Sequence, residues 1–290
     1  MSIISVTELT KSFQAYDRRP GVWGAVKDLV SRSYHDVTAV DNINFRVQEG
    51  ELLGYIGPNG AGKSTSIKML TGILKPTSGR VEVMGFDPFT DRKRYALSIG
   101  VVFGQRTQLW WDIAVIESLR LLGRIYRVDD QLFEERLKML LPILDIGDVL
   151  QTPARKLSLG QRMRCDLAAS LLHMPKVLFL DEPTIGLDAV GKDSIRAFLR
   201  KINKELGTTI ILTTHDLKEI EELCQRIVVL DKGRVLYDGS LSRIKALPGL
   251  QRKLRIEFPG EAPLSRLAEL FGERVTLKSE SSRILLGEYD

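Results

Sequence analysis

The period of apolar positions changes several times along the chain. Residues 3 to 56, 80 to 86 and 98 to 103 are rich in short apolar and β-branched runs and predict strands. Within them, Glu51-Leu-Leu-Gly-Tyr-Ile56 is apolar enough for a buried strand, and Ser66-Ile-Lys-Met-Leu-Thr71 reads as the start of a helix. From 113 to 172 the period is helical: Ile116, Leu119, Leu122 and Ile125 recur three residues apart, and Pro142 predicts a break. From 177 to 239 strands alternate with helices: Val177–Leu180, a helix near Lys192–Leu206, Thr209–Thr213, a helix near Leu217–Cys224, then Ile227–Leu230. Such alternation predicts an α/β fold with parallel strands. Residues 241 to 290 predict a small α+β appendage: a strand (Lys253–Phe258), a helix (Pro263–Leu270) and two strands (Val275–Lys278, Arg283–Glu288). The expected organisation is one large domain over 1–240, with a helical subdomain at about 106–172, and an accessory domain over 241–290.

Composition narrows the class without changing that picture. At 290 residues with 43% hydrophobic and 27% charged residues, the chain can bury a substantial core. No apolar run approaches the ~18 to 20 residues of a membrane-spanning helix, and Met1-Ser-Ile-Ile-Ser-Val does not start like a signal peptide. The expectation is a cytoplasmic protein that reaches any membrane through a partner or along its surface. A net charge of +5 suits an anionic nucleotide or the cytoplasmic leaflet, and is too weak to point to nucleic acid. Cys165 and Cys224 lie in apolar helical patterns and read as inert core thiols.

The chemistry is concentrated in a few short stretches. Gly57-Pro58-Asn59-Gly60-Ala61-Gly62-Lys63-Ser64-Thr65 has the form GxxxxGK[ST] between the predicted strand and helix. Its glycines let successive N–H groups turn inward as an anion nest, and the helix beginning near Lys63 adds its positive end. Lys63 can reach β- and γ-phosphates, and the Ser64 hydroxyl can ligate Mg²⁺. Downstream, Lys176-Val-Leu-Phe-Leu-Asp181-Glu182-Pro183 is an apolar run ending in two carboxylates. Asp181 is placed to hold Mg²⁺ through water, and Glu182 to polarise an attacking water. Between them, Lys156-Leu-Ser158-Leu159-Gly160-Gln161-Arg-Met-Arg164 sets a Ser and a Gly before a helix, which makes a second anion site. One chain has no obvious use for two phosphate sites. A second copy of the chain supplies one.

With these motifs the chain resembles the nucleotide-binding subunit of an ATP-binding cassette (ABC) transporter, over roughly residues 1 to 240. Gly57 to Thr65 match the Walker A loop, Leu157 to Gln161 the signature, Leu178 to Glu182 Walker B, and Gly186-Leu-Asp188 the D-loop. Gln105 matches the Q-loop glutamine, which touches Mg²⁺ and the attacking water, and His215 the switch histidine that contacts the γ-phosphate. Tyr34, 29 residues before Lys63, matches the aromatic that stacks on adenine. The signature departs from the family pattern, with Leu159 where the consensus has glycine; a backbone N–H there can still meet phosphate.

The resemblance implies a P-loop cassette fold with a mixed core sheet, a β-subdomain and a helical signature subdomain. It also implies ATP and Mg²⁺ as ligands and a two-fold dimer of ATPase subunits. The protein would sit on the cytoplasmic face of the membrane against permease subunits. The wording around Val101–Trp111 is most similar to ATPases that pair with ABC-2-type permeases, which export their substrates. Importer ATPases share every catalytic motif and stay open as a reading. Soluble cassettes of translation or DNA repair fit less well, since this chain has one cassette and no sustained heptads. Trp110 and Trp111 fall where the family receives a permease helix, and packing in the helical subdomain is the other reading. Residues 16–33 interrupt a short hairpin. Trp23, Val26, Leu29 and Val30 at helical spacing, with Arg18, Arg19, Lys27 and Arg32, predict a basic amphipathic helix.

Overall fold

Strand propensity and glycine turns build β1 (Ser2–Tyr16), β2 (Tyr34–Gln48) and β3 (Leu52–Ile56), and α1 (Lys63–Leu70) is the first helix among the described residues. The computed structural model describes residues 2–16, 34–104, 106–246, 252–257, 276–281 and 284–289. There follow β4 (Ser78–Val83), α2 (Arg92–Ala96) and β5 (Ile99–Phe103), then the helices α3 (Val115–Ile125), α4 (Asp130–Leu144) and α5 (Leu159–Leu171). The chain returns to alternation with β6 (Val177–Asp181), α6 (Ala189–Leu206), β7 (Thr209–Thr213), α7 (Leu217–Leu223), β8 (Arg226–Asp231) and β9 (Arg234–Ser240). The basic segment 17–33, Gln105 and the helix expected at 263–270 lie outside the described residues.

The central sheet has the order β5-β6-β7-β3-β8-β9. The contacts β5–β6, β6–β7, β7–β3 and β3–β8 are all parallel. Its central strands β3, β6 and β7 are buried on both faces, with Tyr55, Phe179 and Ile211 at 0% exposure, as expected of parallel strands covered by helices, while the edge strand β9 alternates exposed and half-buried positions. A second sheet, β2-β1-β4, is antiparallel and adds Ile4, Leu9, Val40 and Ile43 to the same core. From β3 the chain leads to β5 at one edge of the sheet, and after β7 it crosses past β3 to β8, so the connections that leave these two neighbouring strands run to opposite sides. Ligands of open α/β sheets bind at the carboxyl ends of such strands.

The helical region differs from the sequence expectation at Pro142. Pro142 does not break α4; it is accommodated in the last turn, and the helix runs on to Leu144 before Asp145 ends it in a left-handed conformation. Only the carbonyl one turn earlier loses its partner there, a small cost so near a helix end. Ile125 follows the helical spacing of α3 and is exposed, while Ile116, Leu119 and Leu122 are buried.

Two buried polar contacts tie these helices to the core. Asp166 of α5 accepts from Thr107 Oγ1 (2.9 Å) and the Gln108 amide (2.8 Å), and burial pushes its carboxyl up to about 6. His173 holds the Ile99 carbonyl through Nε2 (2.9 Å) and stacks on Tyr126 at 3.9 Å between ring centroids; burial pulls its imidazole down to about 4. Cys165 and Cys224 are buried free thiols, each pushed up to about 12, as inert core residues should be.

From Ser240 onward the chain forms a separate compact unit. It opens with α8 (Leu241–Lys245) and contains an antiparallel sheet of β10 (Arg252–Glu257), β11 (Thr276–Ser281) and β12 (Ile284–Tyr289), in the order β10-β12-β11. Among the described residues no helix is long and apolar enough to cross a membrane.

Candidate functional site

The carboxyl ends of β3, β5, β6 and β7 converge, and each brings a polar residue or a close backbone turn. After β3 the loop Gly57–Gly62 leads into α1, with Gly62 as N-cap at φ 101°. A Cβ at Gly62 would stand 2.4 Å from the Ala39 carbonyl, so the loop is held tight against β2 and only glycine fits. Lys63 is buried and folds back, its ammonium donating to the Gly57 carbonyl (2.6 Å) and the Pro58 carbonyl (3.0 Å). Burial lowers the Lys63 pKa, while the charges of Glu182 and Asp181 oppose that shift.

From the end of β6, Asp181 Oδ1 accepts from Thr213 Oγ1 (2.6 Å) and from Ser64 Oγ (3.3 Å). Glu182 follows at φ 57°, a left-handed conformation that costs a non-glycine residue ~1–3 kcal/mol. Two bonds from its amide hold it there, to the carbonyl (3.0 Å) and hydroxyl (3.1 Å) of Thr213. Its Oε1 lies 2.6 Å from His215 Nε2, just beyond β7. Asn59, Ser64, Arg106, Asp181, Glu182 and His215 line one cleft of about 530 Å³, a size typical of small-molecule sites. Gly104, at the end of β5, packs its Cα against the Glu182 carbonyl, which sets the backbone just before Gln105.

The signature residues lie elsewhere. Ser158 caps α5, accepting from the Gln161 amide (3.2 Å), while the Gln161 side chain accepts from the Ser158 amide (3.0 Å). This reciprocal capping box leaves the Ser158 hydroxyl hydrogen free to donate outward. Asp188 caps α6 through the Gly191 amide (2.9 Å). Ser158, Gly160, Gln161, Gly186 and Asp188 line a second cleft of about 440 Å³ that shares no residue with the first. Leu159 leans across it: a Cβ on Gly186 would stand 2.7 Å from Leu159 Cδ2.

Tyr34 is not brought to the loop, which departs from the sequence expectation. It stands opposite Tyr16 at the start of β2, five residues from Ala39, about 17 Å at ~3.4 Å per residue. A spacing of 29 residues from Tyr34 to Lys63 runs along one continuous stretch of chain and carries no information on which residue of β1 pairs with β2. Phe13, an exposed aromatic that the sequence reading passed over, stands opposite Val37, only two residues from Ala39. The signal was available in the strand pairing and not in the count. Thr213 was missed as well; its hydroxyl is invisible in an otherwise apolar strand run.

Comparison with known proteins agrees with this fold. A family model described as ABC transporter matches residues 40–185. The chain belongs to the ABC transporter family. Among its relatives, the daunorubicin resistance ATP-binding protein DrrA3 of Streptomyces coeruleorubidus is 39% identical over 229 residues, covering 78% of this chain and 71% of that one. The methionine import ATP-binding protein MetN of Geobacillus kaustophilus is 35% identical, covering 82% and 71%. A solved dimeric ATP-binding cassette in a post-hydrolysis state with ADP and phosphate superposes with a TM-score of 0.68 at 26% identity, covering 82% of this chain and 98% of that one. The chain is thus the ATP-binding subunit of an ABC transporter and an ATPase with the mixed α/β cassette fold.

Proposed function

We propose that the chain drives export through an ABC-2-type permease, hydrolysing ATP at the 530 Å³ cleft in a two-fold dimer. The observation that carries the hydrolytic reading is the convergence of Ser64, Asp181, Glu182 and His215 on that one cleft, with Lys63 in the loop beside it. Gly57 to Thr65 wrap the phosphates, and Lys63 exchanges its two carbonyl partners for phosphate oxygens. Glu182 takes the proton of the attacking water, while His215 donates from Nε2 toward the γ-phosphate.

Among the described residues no three His, Cys, Asp or Glu side chains form a ready metal cluster. The donors here are the Ser64 hydroxyl and the Asp181 carboxylate, hard oxygens that suit a partly hydrated Mg²⁺. Bound there with Gln105, Mg²⁺ would supply charge neutralisation for the β- and γ-phosphates.

Separation of the signature from the first cleft supports a dimer in which Ser158, Leu159, Gly160 and Gln161 of one subunit, with Asp188 beside them, close over the nucleotide of the other. Of the two exposed hairpin aromatics, Phe13 is the better placed for adenine. Trp110 and Trp111 are each nearly half exposed, with the Arg162 guanidinium 5.4 Å from the Trp111 ring centroid. That exposure favours contact with a permease over packing in the core.

Export rests on relatives named for drug resistance and for Nod factor export, and on the sequence around Val101–Trp111. The methionine import relative keeps import as a second reading. The test is to recover a tagged Glu182→Gln chain from gently solubilised membranes with ATP and identify its companions. An ABC-2-type permease supports export. An importer permease with a substrate-binding protein replaces it with import, and a recovery without any membrane protein overturns both.

A further inference from the structure

Glu219 is a carboxylate inside the protein, 1% exposed, in the middle of α7. Two hydroxyls converge on its Oε2, Thr184 Oγ1 at 3.0 Å and Thr214 Oγ1 at 2.5 Å. Its other oxygen is buried with no hydrogen-bond partner among the described residues. Thr184 stands two residues after Glu182, and Thr214 immediately before His215. The contacts therefore close a ring. From Glu182 the chain passes through Pro183 to Thr184, across Glu219 to Thr214, and by one peptide bond to His215. The 2.6 Å contact between His215 and Glu182 completes it.

The ring has two rungs of different character. The Glu182–His215 rung faces the cleft, and His215 is 44% exposed. It is free to open when His215 turns to a phosphate. The Glu219 rung is out of water, where each unmade hydrogen bond costs about 1–3 kcal/mol, so it stays closed. Thr214 is fixed further because its hydroxyl also accepts from the Asp216 amide (3.0 Å).

We propose that Glu219 is a positioning residue for hydrolysis: it clamps the segments after Glu182 and before His215, so that the pair opens and recloses about a fixed base. This rests on the reading of Glu182 and His215 as the hydrolytic pair. Phosphate binding by the loop at Lys63 does not pass through the ring, so the clamp serves turnover and not affinity.

The test measures steady-state ATP hydrolysis and thermal unfolding of the full chain. Glu219→Leu removes the acceptor and should lower kcat by ~10- to 10²-fold, the scale of a small misplacement at a reacting centre, with KM for ATP little changed. Glu219→Gln keeps an oxygen for both hydroxyls and should recover most of kcat. Thr184→Val should slow the wild-type chain and cost nothing more in Glu219→Leu, because the two act through one contact. If Glu219→Leu does not fold, Thr184→Val and Thr214→Val carry the test, each expected to lower kcat at constant KM. Undiminished kcat in these variants, a rise in KM matching the fall in kcat, or independent losses from Glu219 and Thr184 would overturn the clamp. A Glu182→Gln control separates the two readings. Normal turnover there overturns the hydrolytic pair itself, whereas an inactive control beside an undiminished Glu219→Leu overturns the clamp alone.

Discussion

Replacing Lys63 by methionine separates what the lysine does for the free chain from what it does for nucleotide. Methionine keeps most of the apolar stem and removes the charge. The free chain then loses two bonds from a charged donor, to the Gly57 and Pro58 carbonyls, each worth ~1.5–3 kcal/mol. It is also relieved of holding an ammonium out of water at 6% exposure, a penalty of several kcal/mol in the opposite direction. The two offset, and stability without ATP should move by no more than ~1 kcal/mol.

Binding is not offset in this way. On taking up phosphate the ammonium exchanges two neutral acceptors for charged ones, which adds the acceptor's charge to bonds already assisted by the donor's. The gain is ~1–1.5 kcal/mol per bond and ~2–3 kcal/mol for both, equivalent to ~30- to 150-fold in affinity. With ATP at ~100 times the wild-type Kd, the wild-type chain gains ~2.7 kcal/mol, while the variant gains only ~0.3–0.9 kcal/mol. For a unit of the size of Met1–Gly239, these correspond to upward shifts in Tm of ~5–10 °C and ~1–3 °C. Thermal unfolding with and without ATP, paired with a direct titration, reads both quantities. A Lys63→Met chain with the full wild-type shift and unchanged Kd would refute the assignment of the loop. A collapse of its Tm without ATP would refute the offset.

The other expectations are shorter. Glu182→Gln should bind ATP as the wild type does and turn over ~10²-fold more slowly, measured by phosphate release beside an ATP titration. Phe13→Ala should weaken ATP by the ~1–3 kcal/mol of one aromatic–base stack, while Tyr34→Ala should leave Kd unchanged; the reverse order would restore Tyr34 as the adenine partner. Asp166 and His173 should pull stability in opposite directions with pH. The folded Asp166 carboxyl keeps its proton to about 6 and the unfolded one releases it from the usual 3.8, so this group makes stability fall as pH rises between them. The folded His173 ring stays neutral down to about 4 against an ordinary 6.5, so it makes stability rise with pH over nearly the same window. Urea midpoints at pH 4.5 and 7 should therefore be closer together in the wild type than in Asp166→Asn or His173→Gln, with the two variants sloping in opposite senses.

What could be read from the sequence was whatever is encoded locally. The Gly57–Thr65 loop is legible because its glycines, lysine and serine act within nine residues, and the structure seats that stretch between β3 and α1. Asp181 and Glu182 were legible because an apolar strand rarely ends in two acids without a use for them. The spans of α6 and α7 followed from apolar period, although α6 begins three residues earlier than expected, at Ala189 behind its cap Asp188. Pro142 was misread because a proline tolerated in a last turn looks like one that breaks a helix. Tyr34 was misplaced for a different reason: strand register is a relation between two segments, and counting along one of them cannot reveal it. Glu219 lay hidden for the same reason. In the sequence it is one of several acids in Lys218-Glu219-Ile-Glu-Glu222, and only the fold shows that it alone faces inward, between two threonines.

The contact between Leu159 and Gly186 bears on how this chain can diverge from its relatives. Leu159 occupies the space that a side chain at 186 would need, and Gly186 also holds a φ of 72°. A return to glycine at 159 would lift the steric part of that restriction and leave the conformational part. An alanine at 186 should therefore be strained beside either residue at 159, and more so beside leucine, whose side chain must also swing aside. The two positions are thus coupled: the penalty for a side chain at 186 should shrink, without vanishing, once the leucine at 159 is gone.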